Sequence, residues 1–345
     1  MRETQTANGN PQSAAPEGGE MLLSEDQIGV LFDQMADEYD QIKDVWYAWL
    51  FSRLHYLLVT SLGKFQFEPK KKCLDVGCGT GFQSILLSLC GHDVEGIDLS
   101  PNLIEKARRK NPRDFLARDL FESPFRFGSV YSRRIRKVVE SVRGSRAIGK
   151  THYQVASASQ LPFESQTFDL VNCCGSTLSF VEEYGKALWE IARVLRPGGL
   201  VFIEVENKYN WDLLWPVIDS CLLGDRLGYE QGCKHSLENL LSRRSAHVKI
   251  DFPFTSHTGE ISMPIWLFSA AGLIRELKKR RLTMARIHGI HNVTNILPSV
   301  TLDEPNPSKF FVNMFLALSR LEEVIGSWPL MRRFGCSVVL IARKE

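Results

Sequence analysis

Nine consecutive residues restrict this chain more than any other stretch: Leu74-Asp75-Val76-Gly77-Cys78-Gly79-Thr80-Gly81-Phe82. A short apolar run stops at a glycine turn, and a helical pattern begins on its far side. Gly77 allows the tight turn, and Gly79 and Gly81 let a ligand approach the backbone closely. Amide groups at the start of the next helix attract an anion such as a carboxylate. A second apolar run, Val94-Glu95-Gly96-Ile97, ends in Asp98, 21 residues after Gly77. An acid in that place can accept both hydroxyls of a ribose. A glycine loop alone is weak evidence. Here it stands between a strand and a helix, with an acid at the end of the next strand. The competing reading is a structural turn plus a charge at a helix N-terminus.

From Cys73 onward, short apolar runs alternate with helical stretches, which implies a parallel sheet. Strands are predicted near 73–77, 93–97, 152–156, 168–174 and 200–205, with helices near 82–90, 102–110 and 182–195. Gly91 closes the first of these helices. Ser100 and Pro101 open the second as N-cap and first helical residue. Arg196-Pro197-Gly198-Gly199 ends the third and turns into the next strand. A helix near 268–280, a strand near 283–289, a helical segment around 307–326 and a last strand at 336–343 complete the pattern.

Upstream, Ser24 and Gln27 have capping-box spacing ahead of a helix with Ile28, Leu31, Phe32 and Met35 on one side. A second helix is predicted from about Asp44 to Leu62, stopped by Gly63. Residues 1–20, rich in Gly, Pro, Ser, Ala, Asn and Gln, read as a disordered tail. Residues 112–150 and 207–265 exceed normal connections. They read as insertions in one domain over 21–345, whose core takes about 64–206 and 266–345.

Hydrophobic residues make up 44% of the 345, enough for a sizeable core, and the net charge of +2 names no partner. Residues 101–150 carry 14 Lys/Arg against 5 Asp/Glu, a local basic excess that includes Arg133, Arg134, Arg136 and Lys137. Such an excess is more often a solvated helix face than a binding patch. None of the eight cysteines forms a CxxC pair, and no His/Cys group has zinc spacing, so no metal is expected. With no charged start leading into an apolar stretch and no run of 18 apolar residues, a cytoplasmic protein without a transmembrane segment is expected.

The loop reads GxGxG, where dehydrogenases carry GxGxxG. Together with Asp98 and the closing strand after a helix, it resembles the class I S-adenosylmethionine-dependent methyltransferases. Leu161-Pro162-Phe163-Glu164-Ser165-Gln166-Thr167-Phe168-Asp169-Leu170-Val171 and Ala187 through Gly199 are similar to that family's fourth strand and the helix after it. Phe32 to Asp40, with Ala36 and Tyr39, is similar to the N-terminal segment of small-molecule members, among them the ubiquinone/menaquinone C-methyltransferases. The resemblance covers about residues 30–110, 152–206 and 336–344. It implies a Rossmann-like, doubly wound α/β sheet of seven strands with the last antiparallel, plus helical N-terminal and cap insertions.

The resemblance also implies S-adenosyl-L-methionine as cofactor. Asp75, Gly77, Cys78, Gly79 and Gly81 would hold its methionine end, Asp98 its ribose, and Leu99 its adenine. Many members place an acid before the Leu-Pro-Phe run to receive the adenine amino group. Here Ser157 and Ala158 stand there instead, and with Cys174 after the fourth strand they complete the expected cofactor-binding set.

Methyl transfer from a sulfonium needs alignment and water exclusion rather than a metal, and a base for acceptors that release a proton. The ends of the strands then select Asn172, Cys174 and Gly175, next Glu204, Glu206, Asn207 and Tyr209, and finally His288 and His291. The two histidines are the base candidates because they titrate near neutral pH; the alternative is backbone hydrogen bonding. Cys173 and Cys174 read as packing residues.

Trp46, Trp49, Tyr209, Trp211, Trp215 and Trp266 suggest a cap over an apolar acceptor. It would be built from the 44–62 helix, the 207–265 insertion and the segment after His291. The expected partner is a small apolar or aromatic molecule, not nucleic acid. The alternatives are an RNA methyltransferase using the basic insertion, and a non-catalytic protein that keeps the fold.

Overall fold

In a computed structural model, the described residues are 25–37, 39–40, 45–64, 70–117, 126–227, 229, 247–256, 259–302, 307–326 and 328–345. The tail over 1–20 and the capping role of Ser24 lie outside them. Two helices, α1 (Glu25–Met35) and α2 (Val45–Lys64), precede a sheet of seven strands. In chain order these are β1 (Lys72–Val76), β2 (Asp93–Asp98), β3 (Thr151–Val155), β4 (Phe168–Cys173) and β5 (Leu195–Glu206), followed by β8 (Leu282–Ile290) and β9 (Ser337–Lys344). Two further strands, β6 (His247–Ser256) and β7 (Gly259–Phe268), form a separate antiparallel ribbon.

The large sheet runs β3-β2-β1-β4-β5-β9-β8. The pairs from β3 to β5 are parallel, and β9 is antiparallel to both β5 and β8. The order reverses at β1, between β2 and β4, so the loops after these strands open a crevice at their C-terminal ends. The central strands β1, β4, β5 and β9 are largely buried because both faces are covered, while the edge strands β3 and β8 are partly exposed. Successive side chains alternate between two layers. Cys73, Val94, Leu170 and Phe202 pack toward α2, α3 (Phe82–Leu89) and α6 (Arg126–Arg143). Leu74, Val76, Val171 and Ile203 pack toward α8 (Tyr184–Val194) and the helix Ala270–Lys279.

Helix α4 (Pro101–Arg109) begins as predicted, with the Ser100 hydroxyl accepting from the Leu103 amide at 3.1 Å. Helix α2 reaches Lys64, one residue past the predicted stop at Gly63. Arg196-Pro197-Gly198-Gly199 turns the chain inside β5 rather than before it, with four residues opposite Asp169: Phe168 pairs with Leu195 and Leu170 with Leu200, and Gly198 takes φ 77°. The basic insertion contributes to the core. Ile135 and Val139 of α6 are buried in the layer beneath α2, while Arg133 and Lys137 face solvent. No helix among the described residues is long and apolar enough to cross a membrane.

Candidate functional site

At the end of β1 the glycine loop is held by polar contacts from below and beside it. The Asp75 carboxylate accepts from the Ser84 hydroxyl at 2.5 Å and the Asn172 side-chain amide at 2.7 Å. Burial pushes Asp75 up to about 6 despite those bonds. Gly77 takes φ 67°, and a Cβ there would run into the Thr177 side chain at 2.2 Å. Gly81 takes φ 85° beside the Tyr153 ring. At the end of β2, the two Asp98 oxygens accept from the Gly79 amide at 2.9 Å and the Ser100 amide at 3.0 Å. Burial raises Asp98 and these amides oppose the rise.

The N-terminal segment lies across this loop. Asp33 accepts from the Ser100 hydroxyl at 2.5 Å and from the Asn102 backbone and side-chain amides, both at 2.9 Å. Asp40 accepts from the Thr80 hydroxyl at 2.5 Å and forms an ion pair with Lys110 at 2.8 Å. The Tyr39 ring rests on Gly79, where an added Cβ would meet it at 3.1 Å.

Two clefts meet beneath Tyr39. The larger, about 610 Å³, is walled by Asp98, Leu99, Ala156 and Ala158 on one side and by Ile28, Phe32, Phe180 and Val181 on the other. The smaller, about 450 Å³, is walled by Cys78, Thr80, Gln83 and Cys174, and by the aromatic edges of Phe51, His55 and Phe82. Tyr39, Gly77 and Gly175 belong to both. A Cβ on Gly175 would meet no atom within 4 Å, so a side chain there would stand in the clefts themselves.

Of the predicted cofactor residues, Gly77, Cys78, Asp98, Leu99, Ala158 and Cys174 line these walls, while Asp75, Gly79 and Gly81 shape the loop behind them. The Ser157 hydroxyl accepts from the Ser159 amide at 3.0 Å. The residues fit a nucleoside bearing a charged amino-acid tail. Asp98 lines the larger cleft beside an apolar wall of Leu99, Ala156 and Ala158, and Gly77 brings the loop backbone to the same cleft.

The ends of β4 and β5 bring a further group to the Gly175 turn. Ser176 donates its amide to Glu204 at 2.6 Å, and its hydroxyl lies 2.6 Å from Glu206. Burial first, then the neighbouring Glu204 charge, pushes Glu206 up to about 7. Both acids were predicted from their place at the strand end, but their convergence on Ser176 depends on the β4–β5 register. The Asn207 side chain instead donates to the Arg333 and Gly335 carbonyls.

His291 is fully buried, stacked on Trp46 at 4.1 Å, and hydrogen-bonded to the Thr294 hydroxyl at 2.7 Å. Burial lowers it to about 3. His288 lies on β8, opposite Val339. Neither histidine is on the wall of either cleft. His55 is on the wall, and the sequence reading missed it because α2 reads as a core helix. The available signal was Phe51 four residues before it, on the same face. Burial lowers His55 to about 3, so it is neutral near pH 7.

The three segments assigned to the cap meet at Asn295. The Trp46 indole of α2 donates to its side chain at 3.2 Å, and the Trp215 indole donates to its carbonyl at 3.1 Å. Its own amide donates to Asn210 at 2.7 Å. Trp266 instead packs on Tyr184 at 5.2 Å, outside this junction.

Residues 46–280 match the family model described as a methyltransferase domain. The chain is similar to the demethylmenaquinone methyltransferase of Renibacterium salmoninarum, 28% identical over 52% of this chain and 58% of that protein. It therefore spans a little over half the length of that relative. The demethylmenaquinone methyltransferase of Symbiobacterium thermophilum is 27% identical over 60% of this chain and 72% of its own length. Among solved structures, a SAM-dependent methyltransferase from Methanosarcina mazei is 18% identical with a TM-score of 0.46, covering 82% of this chain and 96% of that one.

Proposed function

The chain belongs to the class I S-adenosylmethionine-dependent methyltransferases, and we propose that it methylates a small apolar or aromatic molecule held in the smaller cleft. One observation carries this reading: a cleft edged by Phe51, His55 and Phe82 shares Tyr39, Gly77 and Gly175 with the cleft that contains Asp98. A cofactor seated against Asp98 and the glycine loop would present its methyl group where the two spaces join.

S-adenosylmethionine supplies an activated methyl when bound, and the chain's residues do the rest. Asp98 would accept the ribose hydroxyls, and Leu99 and Ala158 would cover the adenine faces. The glycine loop would lie against the methionine end, although its Cys78, Gly79 and Gly81 amides are already donated to the Ile97 carbonyl, Asp98 and the Cys78 carbonyl. Tyr39 closes the junction from above, which excludes water and limits the approach angle of the acceptor. Asp40 is the carboxylate on the acceptor wall placed to take a proton from an oxygen or nitrogen acceptor, while His55, held neutral by burial, can only orient the acceptor through a hydrogen bond. The demethylmenaquinone methyltransferases among the relatives support an apolar acceptor. The basic face of α6 supports RNA less well, because Arg134 is engaged with Glu323 at 3.0 Å.

The test is an acceptor screen with methyl-labelled S-adenosylmethionine, comparing lipophilic quinols and phenols with RNA. Label is expected in the lipophilic fraction. Label in RNA alone would overturn the reading.

A further inference from the structure

The Ser176 hydroxyl lies 2.6 Å from Glu206 Oε1 and 3.3 Å from Glu204 Oε1. A hydroxyl holds one proton. Between two ionised carboxylates it would satisfy one and face the other lone pair to lone pair. One additional proton resolves the conflict, since a carboxylic acid can donate to the hydroxyl while the hydroxyl donates to the second carboxylate. The 2.6 Å separation is at the short end for an O–H···O bond, as suits a carboxylic acid donating to the hydroxyl.

The two acids are not equivalent. Glu204 also receives the Ser176 amide, whereas among the described residues Glu206 meets the hydroxyl and a distant Cys336 thiol at 3.7 Å. Glu204 is therefore the better seat for the charge and Glu206 for the proton. The titratable groups that face the pair are thiols and acids: Cys173 and Cys174 from β4, Cys336 before β9, Asp75 from β1, and Asp212 beyond Cys336. Burial holds the protons on those thiols, and none of these groups brings a positive charge.

The loop between β4 and the helix Thr177–Phe180 needs this support. Gly175 and Ser176 are both left-handed, at φ 71° and 57°, a conformation unfavourable for a residue with a side chain. Gly175 lines both clefts, Cys174 the smaller and Thr177 the larger.

We propose that Glu204 and Glu206 share one proton through Ser176, and that this bridged pair positions the 175–177 loop, the common floor of the cofactor and acceptor clefts. When the proton leaves for solvent, two carboxylates confront one hydroxyl and the loop loosens. Glu206 is thus a positioning residue, acting through Ser176. Its effect on methyl transfer rests on the function proposed above; the bridge itself does not.

The experiment measures S-adenosylhomocysteine affinity by calorimetry, and amide hydrogen exchange of residues 174–180 in the ligand-free protein, from about pH 5.5 to about pH 8.5. In the parent protein, Kd should be level on the acid side. It should then climb toward about tenfold per pH unit as the proton is lost. Loop exchange, corrected for its intrinsic pH dependence, should quicken over the same range. Glu206→Gln, whose amide donates to Ser176 at every pH, should flatten both curves at the protected level. Ser176→Ala, which deletes the bridge, should exchange fast at all pH values, and it serves as the test if the glutamine variant does not fold. A glutamine variant with the parent's pH dependence, or parent loop exchange that ignores pH, would overturn the proposal. If the loop switches as expected but S-adenosylhomocysteine binds at no pH, the bridge stands and the cofactor assignment fails.

Discussion

Asp98→Ala should weaken cofactor binding far more than it weakens the fold, and the size of the effect follows from the geometry. Each carboxylate oxygen has two lone-pair directions. Oδ2 spends one on the Gly79 amide and Oδ1 one on the Ser100 amide, which leaves one on each oxygen for the two ribose hydroxyls. Hydrogen bonds to a charged group contribute about 1.5–3 kcal/mol each. Water replaces part of the loss on this half-buried side chain, so about 2–4 kcal/mol should disappear, a Kd increase of roughly 30- to 700-fold. Asp98→Asn keeps one oxygen acceptor and should lose about half of that, roughly 5- to 30-fold.

Stability should not follow. Burial raises Asp98 above its unfolded value. Its favourable contribution is therefore complete below the ordinary carboxylate pKa and is lost as pH rises through the folded one. At pH 7 the buried charge is already a burden, which Asn removes. Titration calorimetry with S-adenosylhomocysteine, paired with thermal unfolding, separates the two effects. A Kd within threefold of the parent, in an alanine variant that unfolds at the parent temperature, would refute the ribose assignment.

Three other outcomes are expected. Gly77→Ala combines a left-handed strain of about 1–2 kcal/mol with a collision against Thr177. Adding Thr177→Gly should recover the collision but not the strain, so denaturant midpoints of the four proteins in this cycle should show favourable coupling. Trp46→Ala breaks the junction at Asn295 and should lower kcat severalfold while cofactor Kd changes less than about twofold; equal losses in both would disprove a role confined to the acceptor side. Neutralising the exposed Arg133 and Lys137 should leave methyl transfer and unfolding within about 0.5 kcal/mol of the parent, and tight, steeply salt-dependent RNA binding abolished by the change would contradict that.

The sheet was legible because strands covered on both faces are rich in apolar residues, as the runs Leu200 to Ile203 and Val338 to Ala342 are. The glycine loop was legible because positive φ and close approach leave glycine few substitutes. The β6–β7 ribbon was not. Pro253 and Pro264 interrupt its alternation, and both are tolerated because a two-stranded ribbon consists only of edges. The Glu204–Ser176–Glu206 group stayed hidden for a different reason. The two strand-end acids meet Ser176 across 28 and 30 positions, which no local pattern encodes.

The separate parentage of the two cleft walls bears on how such a protein diversifies. The Asp98 and Leu99 wall comes from the sheet itself, where any change is transmitted to β1 and β2. Phe51 and His55 come from a helix laid over the sheet, and they can be exchanged without touching a strand. Selection for a new acceptor can therefore act on α2 while the inherited donor site stays constant. Tyr39, Gly77 and Gly175, shared by both walls, are the positions where the two histories cannot be uncoupled. A library meant to change acceptor range belongs on Phe51 and His55 and should leave these three untouched.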